Sequence, residues 1–324
     1  MADTRSTDHD LAVRAAWLYY VHGKGQEEVA RALHVSRFKV TRLLAAARDS
    51  GIVKITIEHE MAETLALADW IARRWNLKEC ILTPYFEDEV AGMSDDVADR
   101  LARRSVGIAA ANHLTRRLQN AEQVTVGLGS GRTIAALAEA FTGFPKPNAC
   151  FVSICGSLTH TASTHAFEVV QRFAQACGAE GHFLAAPFLT DSVQDFDVIT
   201  GQRIVQETLA LARTADFHIV SLGELTRDAF LVRQGLLTEP DLESALAAGA
   251  ACDMAGKFFD AEGRLAECDL NLRSPSLSIG DLERQEVVLL AAGRRKGAAL
   301  RSILKTGLID RLILDGELAT QILG

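Results

Sequence analysis

The heptapeptide Gly127-Leu128-Gly129-Ser130-Gly131-Arg132-Thr133 sets three glycines, two hydroxyls and a guanidinium between an apolar run, VTV, and a helical pattern, RTIAALAEAF. A glycine-rich turn that ends a strand and opens a helix lets backbone approach a ligand closely. It also aims unpaired N–H groups and the positive end of the helix dipole at that ligand. Gly129 and Gly131 permit the tight turn, Ser130 and Thr133 add hydroxyls, and Arg132 adds charge. That environment suits a phosphate or a sugar hydroxyl. The spacing is GxGxG, so this is neither the dinucleotide GxGxxG nor a Walker loop, whose lysine is missing. A plain structural turn is the competing reading. Gly156-Ser157 after VSIC, Gly223-Glu224 after HIVSL, and Gly293 to Lys296 after VVLLAA also end apolar runs with polar groups and should converge on the same edge. Lys296 opens a helix, where the dipole does not favour a structural lysine, so a ligand role is indicated. Asp253, in ACDMAGKFFDAEG, precedes a small-residue turn and reads either as an acceptor of sugar hydroxyls or as a turn cap.

A second chemistry lies near the N-terminus. In QEEVARALHVSRFKVTRLLAAARDSGIVKITI, Val29, Ala30 and Leu33 give a first helix an apolar face, with a small Ala where two helices cross. Ser36 then reads as an N-cap. Val40, Leu43 and Leu44 face inward at helical spacing while Arg37, Lys39 and Arg42 face out. This is a helix-turn-helix with a recognition helix whose exposed N-terminal residues enter a major groove. The turn carries His34 where glycine is usual, and His tolerates positive φ better than most residues. Ser36, Arg37, Lys39 and Arg42 are the candidate base and phosphate contacts; Arg48 and Lys54 are candidates for the DNA backbone alone. An ordinary helical hairpin in a larger core is the bland alternative. Against it stand a preceding helix, about 11–22 with Val13, Trp17, Leu18 and Val21, and the local charge. Residues 1–57 hold nine Lys/Arg and six Asp/Glu, a net of +3, against −11 for the remainder. A basic module on an acidic body suits DNA, because phosphate neutralisation supplies most sequence-independent affinity.

The elements that must position these residues follow from periodicity. At 324 residues the chain has room for two domains. We place a DNA-binding domain at 1–57 and an effector-binding, oligomerising domain at 58–324. The second begins with a helix, TLALADWIARRWN, whose stripe is Leu65, Ala68, Ile71 and Trp75, and then a strand, KECILTP. A long helix at 95–119 follows, and after it apolar runs (QVTVGLG, CFVSICG, EGHFLAAP, DFHIVSLG, EVVLLAAG, DRLILDG) alternate with helical segments. Short buried strands separated by helices predict an α/β, doubly wound, parallel sheet covered on both faces. No apolar run approaches the roughly 18 residues of a membrane span, and the polar N-terminus is unlike a signal peptide, so a cytoplasmic protein without membrane partners is expected. Six cysteines lack CxxC spacing and read as small buried hydrophobes. His160 and His165 stand five apart without a Cys or carboxylate cluster, so neither a metal nor a cofactor is expected.

Over nearly its whole length the chain resembles the SorC family of bacterial sugar-responsive transcriptional regulators. The resemblance is carried by GLGSGRT, by LGELTRDAFLVRQGLLTEPDLESALAAGAACDMAGKFFDAEGR, by VVLLAAGRRKGAALRSILKTGLIDRLILDGELA and by the N-terminal LYYVHGKGQEEVARALHVSRFKVTRLLAAARDSGIVKI. It implies a sugar-binding domain related in fold to phosphosugar isomerases but lacking their catalysis, with Gly129 to Thr133 holding a phosphate or equivalent polar end. By the same resemblance Asp253 and Lys296 match the family's Asp and Lys, although Cys252 replaces the glycine that usually precedes the Asp. The segment CGSLTHTASTHAFEVV departs further, and His165 falls where effector selectivity is set. The effector is then a sugar phosphate or a polyol; some members with such loops resemble regulators of sugar-alcohol operons. Operator DNA and a homodimer or homotetramer are the other expected partners. The competing function is a phosphosugar isomerase-like enzyme with an accessory N-terminal domain. It needs a poised base beside the sugar C1–C2. Asp228, Asp253 and Glu224 are candidates, but no distinctive acid/base motif surrounds them.

Overall fold

A computed structural model describes residues 3–53, 62–84, 92–157 and 166–323. The chain divides into two compact units, Met1–His59 and Glu60–Gly324.

The first unit is helical: α1 (Asp3–Ala16), a π-helical turn at Trp17–Val21, α2 (Gln26–Leu33) and α3 (Arg37–Asp49). Its core joins Ala12, Ala15 and Ala16 to Val29, Ala30, Val40, Leu43, Leu44 and Ala47. The inward face of α1 is therefore the alanine row. Trp17 and Val21, in the π turn, are 57% and 60% exposed, and Val13 ahead of it is exposed too, so of the apolar residues read as marking this helix only Leu18 packs against that core. The connection between α2 and α3 agrees with the sequence in detail. His34 takes φ 53°, ψ 42°, and Val35 N–H donates to the Ala30 carbonyl at 3.0 Å, closing a Schellman turn. Ser36 Oγ accepts the Lys39 N–H at 3.1 Å. Most of the strand expected at IVKITI, with Lys54, lies outside the described residues.

The second unit is a twisted α/β sheet. Its strands are β1 (Glu79–Thr83), β2 (Val124–Leu128), β3 (Ala149–Ser153), β4 (Glu180–His182), β5 (Phe217–Glu224), β6 (Ala250–Met254), β7 (Lys257–Asp260), β8 (Glu286–Ala291) and β9 (Arg311–Asp315). The main helices are α4 (Ala62–Arg74), α5 (Asp95–Asn120), α6 (Arg132–Ala140), α7 (Ala166–Cys177), α8 (Val193–Thr200), α9 (Arg203–Ala212), α10 (Phe230–Arg233), α11 (Glu239–Ala247), α12 (Leu270–Arg273), α13 (Ile279–Leu282), α14 (Gly297–Lys305) and α15 (Gly316–Gln321). Seven strands run parallel in the order β1-β9-β8-β5-β2-β3-β4. Along β8, Val287, Leu289 and Ala291 enter one layer with Val205, Leu300 and Leu318, while Val288 and Leu290 enter the other with Val106, Ile134 and Phe173. Both faces are thus buried, which is why these strands read as continuous apolar runs. From β2 the chain winds outward through β3 to β4; it then returns to β5 on the other side of β2 and winds through β8 to β9. The β2–β5 seam is the topological switch point, where open α/β sheets bind ligands.

The second unit departs from expectation in two places. The hairpin β6–β7, antiparallel on the end of β5, was not expected, because its turn is Ala255-Gly256 at φ 52° and 80° rather than a strong Asn-Gly signal. On α4, Leu65 is 48% exposed and Ile71 wholly buried; Leu67, not Leu65, packs toward the core.

Candidate functional sites

At the switch point, a cleft lies over the carboxyl ends of β2 and β5. It is lined by Ser130 to Thr133, Ser221 to Glu224, Asp253 and Lys296, with Phe188, Phe230 and Leu231 as apolar wall. Its enclosed volume is about 50 Å³, so it is a narrow, polar cleft that opens at its mouth.

Each polar group there has an identifiable anchor. Gly131 stands at φ 118°, and an added Cβ would lie 2.8 Å from Ser221 Oγ. That hydroxyl in turn donates to the Ser130 carbonyl at 2.9 Å, tying the loop to β5. Gly127 instead makes room for a ring, since a Cβ there would lie 2.0 Å from Nδ1 of the buried His218. Burial pushes that imidazole down to about 4, so it packs as a neutral side chain. Gly129 takes no positive φ, and a Cβ there would make ordinary contacts. Arg132 and Thr133 are the first residues of α6. The Arg132 guanidinium lies 4.9 Å from the Phe230 ring centre. Burial lowers its pKa, with Glu224 opposing.

Asp253 faces Gly223 across the β5–β6 pairing. A Cβ on Gly223 would come within 2.2 Å of its Oδ1, so the glycine makes the room that the carboxylate occupies. Burial raises Asp253 to about 7, the nearby Lys296 charge lowers it, and Glu224 adds to the rise. Lys296 is buried and N-caps α14. Its Nζ donates to the Leu222 carbonyl at 2.7 Å, where β5 leaves its parallel neighbours for β6. Burial lowers the Lys296 pKa, against Glu224 and Asp253. The turn that carries it is pinned from below: Gly293 N–H donates to Asp315 at 2.9 Å and Arg294 N–H to Asp99 at 3.0 Å.

The structure thus brings together Ser130, Gly131, Arg132, Thr133, Glu224, Asp253 and Lys296 from four segments far apart in sequence. Gly129 lies just behind them. Gly156-Ser157 does not join them; Ser157 bridges to Pro187 and Gly156 N–H donates to the Pro275 carbonyl. His160 and His165 lie outside the described residues. Ser221 and Phe230 were not among the expected residues. A serine within HIVSL is a visible polar break in a buried strand, whereas nothing in the sequence marks Phe230.

On the first unit, α3 carries the polar surface. Arg37 pairs with Glu27 at 3.6 Å, and Lys39 with Asp8 of α1 at 2.8 Å. Arg48 donates to the Tyr20 hydroxyl at 3.2 Å. Arg42 is exposed and without a partner among the described residues. Phe38, between the two paired cations, is 74% exposed and was not anticipated as a surface residue.

Among the described residues no helix is long and apolar enough to cross a membrane, and no group of three His, Cys, Asp or Glu could hold a metal. The chain matches the sugar-binding domain family (Sugar-bind) over residues 59–324. It is 30% identical to the erythritol catabolism regulatory protein EryD of Brucella abortus over 324 residues, all of this chain and 98% of that protein. It is 25% identical to the deoxyribonucleoside regulator of Bacillus subtilis, across 95% of this chain and 96% of that one. Its fold is that of the full-length sorbitol operon regulator SorC from Klebsiella pneumoniae, with TM-score 0.71 and 22% identity, covering 98% of this chain and 100% of that chain. With a helix-turn-helix unit preceding a switch-point cleft, and with these relatives matched end to end, the chain belongs to the SorC family of sugar-responsive transcriptional regulators.

Proposed function

We propose that this regulator binds operator DNA through α3 and that a small carbohydrate, seated in the switch-point cleft, alters that binding. The supporting observation is the convergence of the α6 N-terminus, Arg132 and Lys296 with two carboxylates, Asp253 and Glu224, in one narrow cleft. Oriented N–H groups and two cations suit a phosphate, and the carboxylates suit hydroxyls. A sugar phosphate or a phosphorylated polyol uses both halves. A free polyol is the second reading, favoured by the likeness to an erythritol catabolism regulator and by Asp253, whose raised pKa leaves it able to donate as well as accept. The DNA contacts proposed are Ser36, Arg37, Lys39 and Arg42, with Arg48 and Lys54 on phosphates. Glu27 and Asp8 must release Arg37 and Lys39, or share them, when DNA is bound. We further propose that the cleft binds without turning over its ligand, and that the protein acts as a homodimer or homotetramer in the cytoplasm.

One pair of variants tests the reading. For a phosphate ester, Lys296→Ala abolishes the effector's influence on operator binding and Asp253→Asn only weakens it; for a free polyol the order reverses. Wild-type response in both variants would remove the cleft from the account.

A further inference from the structure

We propose that Phe38 reads the 5-methyl group of a thymine in the major groove, as a specificity-determining residue of the DNA contact. The inference rests on the reading of α3 as the DNA-facing helix and adds a base-reading element to it.

Phe38 is the second residue of α3, directly after Arg37. The start of that helix is fixed on both sides, by the left-handed turn at His34 and by the Ser36 cap. Residues in the first turn of a recognition helix are the ones that reach base edges. At 74% exposure Phe38 is the most exposed large apolar side chain among the described residues. Its ring meets no other ring and no guanidinium among them. Water contact of this extent is unfavourable for a benzyl group, and no aromatic ring or guanidinium among the described residues relieves it. Around it Arg37 pairs with Glu27, Lys39 with Asp8, and the Thr41 hydroxyl with the Arg37 carbonyl at 3.2 Å and Gln26 at 3.3 Å, while Arg42 has no partner among the described residues. Phe38 alone offers apolar surface there. In the major groove the apolar feature of a base edge is the thymine methyl, and phenylalanine is among the side chains that contact it. Cations on either side of the ring would meet phosphates and hold the ring over the groove.

The test uses the full-length protein and duplexes it selects from a random library. Each thymine of the selected duplex is replaced singly by deoxyuridine, which removes only the methyl group. We expect one position per half-site at which wild-type affinity falls about fourfold, the value of one methyl withdrawn from water. Phe38→Ala should bind the thymine duplex more weakly by at least that factor and show no further loss on the uracil duplex. Phe38→Leu, still apolar, should keep the thymine preference. If wild type loses nothing at any uracil, or Phe38→Ala retains the same uracil penalty, the proposal falls while the DNA-binding reading stands. If the full-length protein selects no duplex at all, both fall together. Should Phe38→Ala bind too weakly to measure, the wild-type uracil scan and Phe38→Leu decide the matter by themselves.

Discussion

Gly223 and Asp253 occupy one site between them: the carboxylate sits where a side chain on residue 223 would have to be. Gly223→Ala should therefore displace Asp253 and blunt the effector response, leaving operator binding in the absence of effector unchanged; titrating effector against a labelled operator duplex checks both. Asp253 also carries a pH signature. Its folded pKa of about 7 lies above the ordinary value of 3.8. The folded chain thus keeps a proton that the unfolded chain releases, and this group's contribution to stability declines as pH rises from about 4 to 7. Asp253→Asn removes the decline, so its urea midpoint relative to wild type should be higher at pH 8 than at pH 5. An anionic effector should also bind better below pH 7, where this carboxyl is neutral. At this scale the sequence was legible for Ser130, Arg132, Thr133, Asp253 and Lys296, because small residues beside lone polar groups at strand ends are conspicuous. It was not legible for Gly127, which accommodates His218 from a strand some ninety residues on, nor for Phe230 beneath Arg132. Those pairings are made by the fold, and no local pattern carries them.

The joint between α2 and α3 shows how much an element can owe to two residues. A non-glycine residue in the left-handed region carries a penalty of about 1–2 kcal/mol, less for His than for a β-branched residue. Replacing His34 by glycine relieves that strain but loosens the unfolded chain, so the net gain should be a few tenths to about 1 kcal/mol. His34→Val should cost more than about 1 kcal/mol, the branched side chain being least tolerant of positive φ. Ser36→Ala leaves the Lys39 N–H without its acceptor and should cost about 1 kcal/mol. Denaturant unfolding of the three variants checks the ranking. Both features could be read from SRFKV and HVS because caps and left-handed turns are short-range. The face of α1 could not. The alanines that form the core there are outweighed by Trp17 and Val21 in any pattern of hydrophobicity. The β6–β7 hairpin was hidden for a related reason. Its turn puts Ala255 where Asn or Gly is expected, so the run ACDMAGKFFDAEG shows a small-residue break without the sign of a reversal.

The molecule as a whole was the most legible scale. Buried parallel strands print themselves as uninterrupted apolar runs, and the seven runs of the main sheet all correspond to strands, with β4 and the hairpin the least distinct. What alternation cannot give is strand order, and hence the switch point at which the loop after β2 meets the end of β5. Assembly leaves no heptad seam in the sequence, which points instead to the sheet domain and the helix TLALADWIARRW, and nothing in a single chain tests that expectation. On α4 the inward row is Leu67, Ala68 and Ile71, which leaves Leu65 and Trp70 48% and 42% exposed on the same helix. These two large apolar side chains flank the inward row on either side of the first helix of the sugar-binding unit, so either flank of α4 offers apolar surface to a contact between copies. A symmetric dimer would let two recognition helices reach half-sites about 34–36 Å apart, whereas a monomer reads only a few base pairs. The double variant Leu65→Asp with Trp70→Asp should then sediment as a smaller species than wild type at micromolar concentration. It should keep the effector-induced rise in thermal midpoint and lose most affinity for a two-half-site operator, while its weak affinity for a single half-site stays as it was. Wild-type assembly in that variant would move the contact off α4, and a wild-type monomer with and without operator would rule out a dimeric reading altogether.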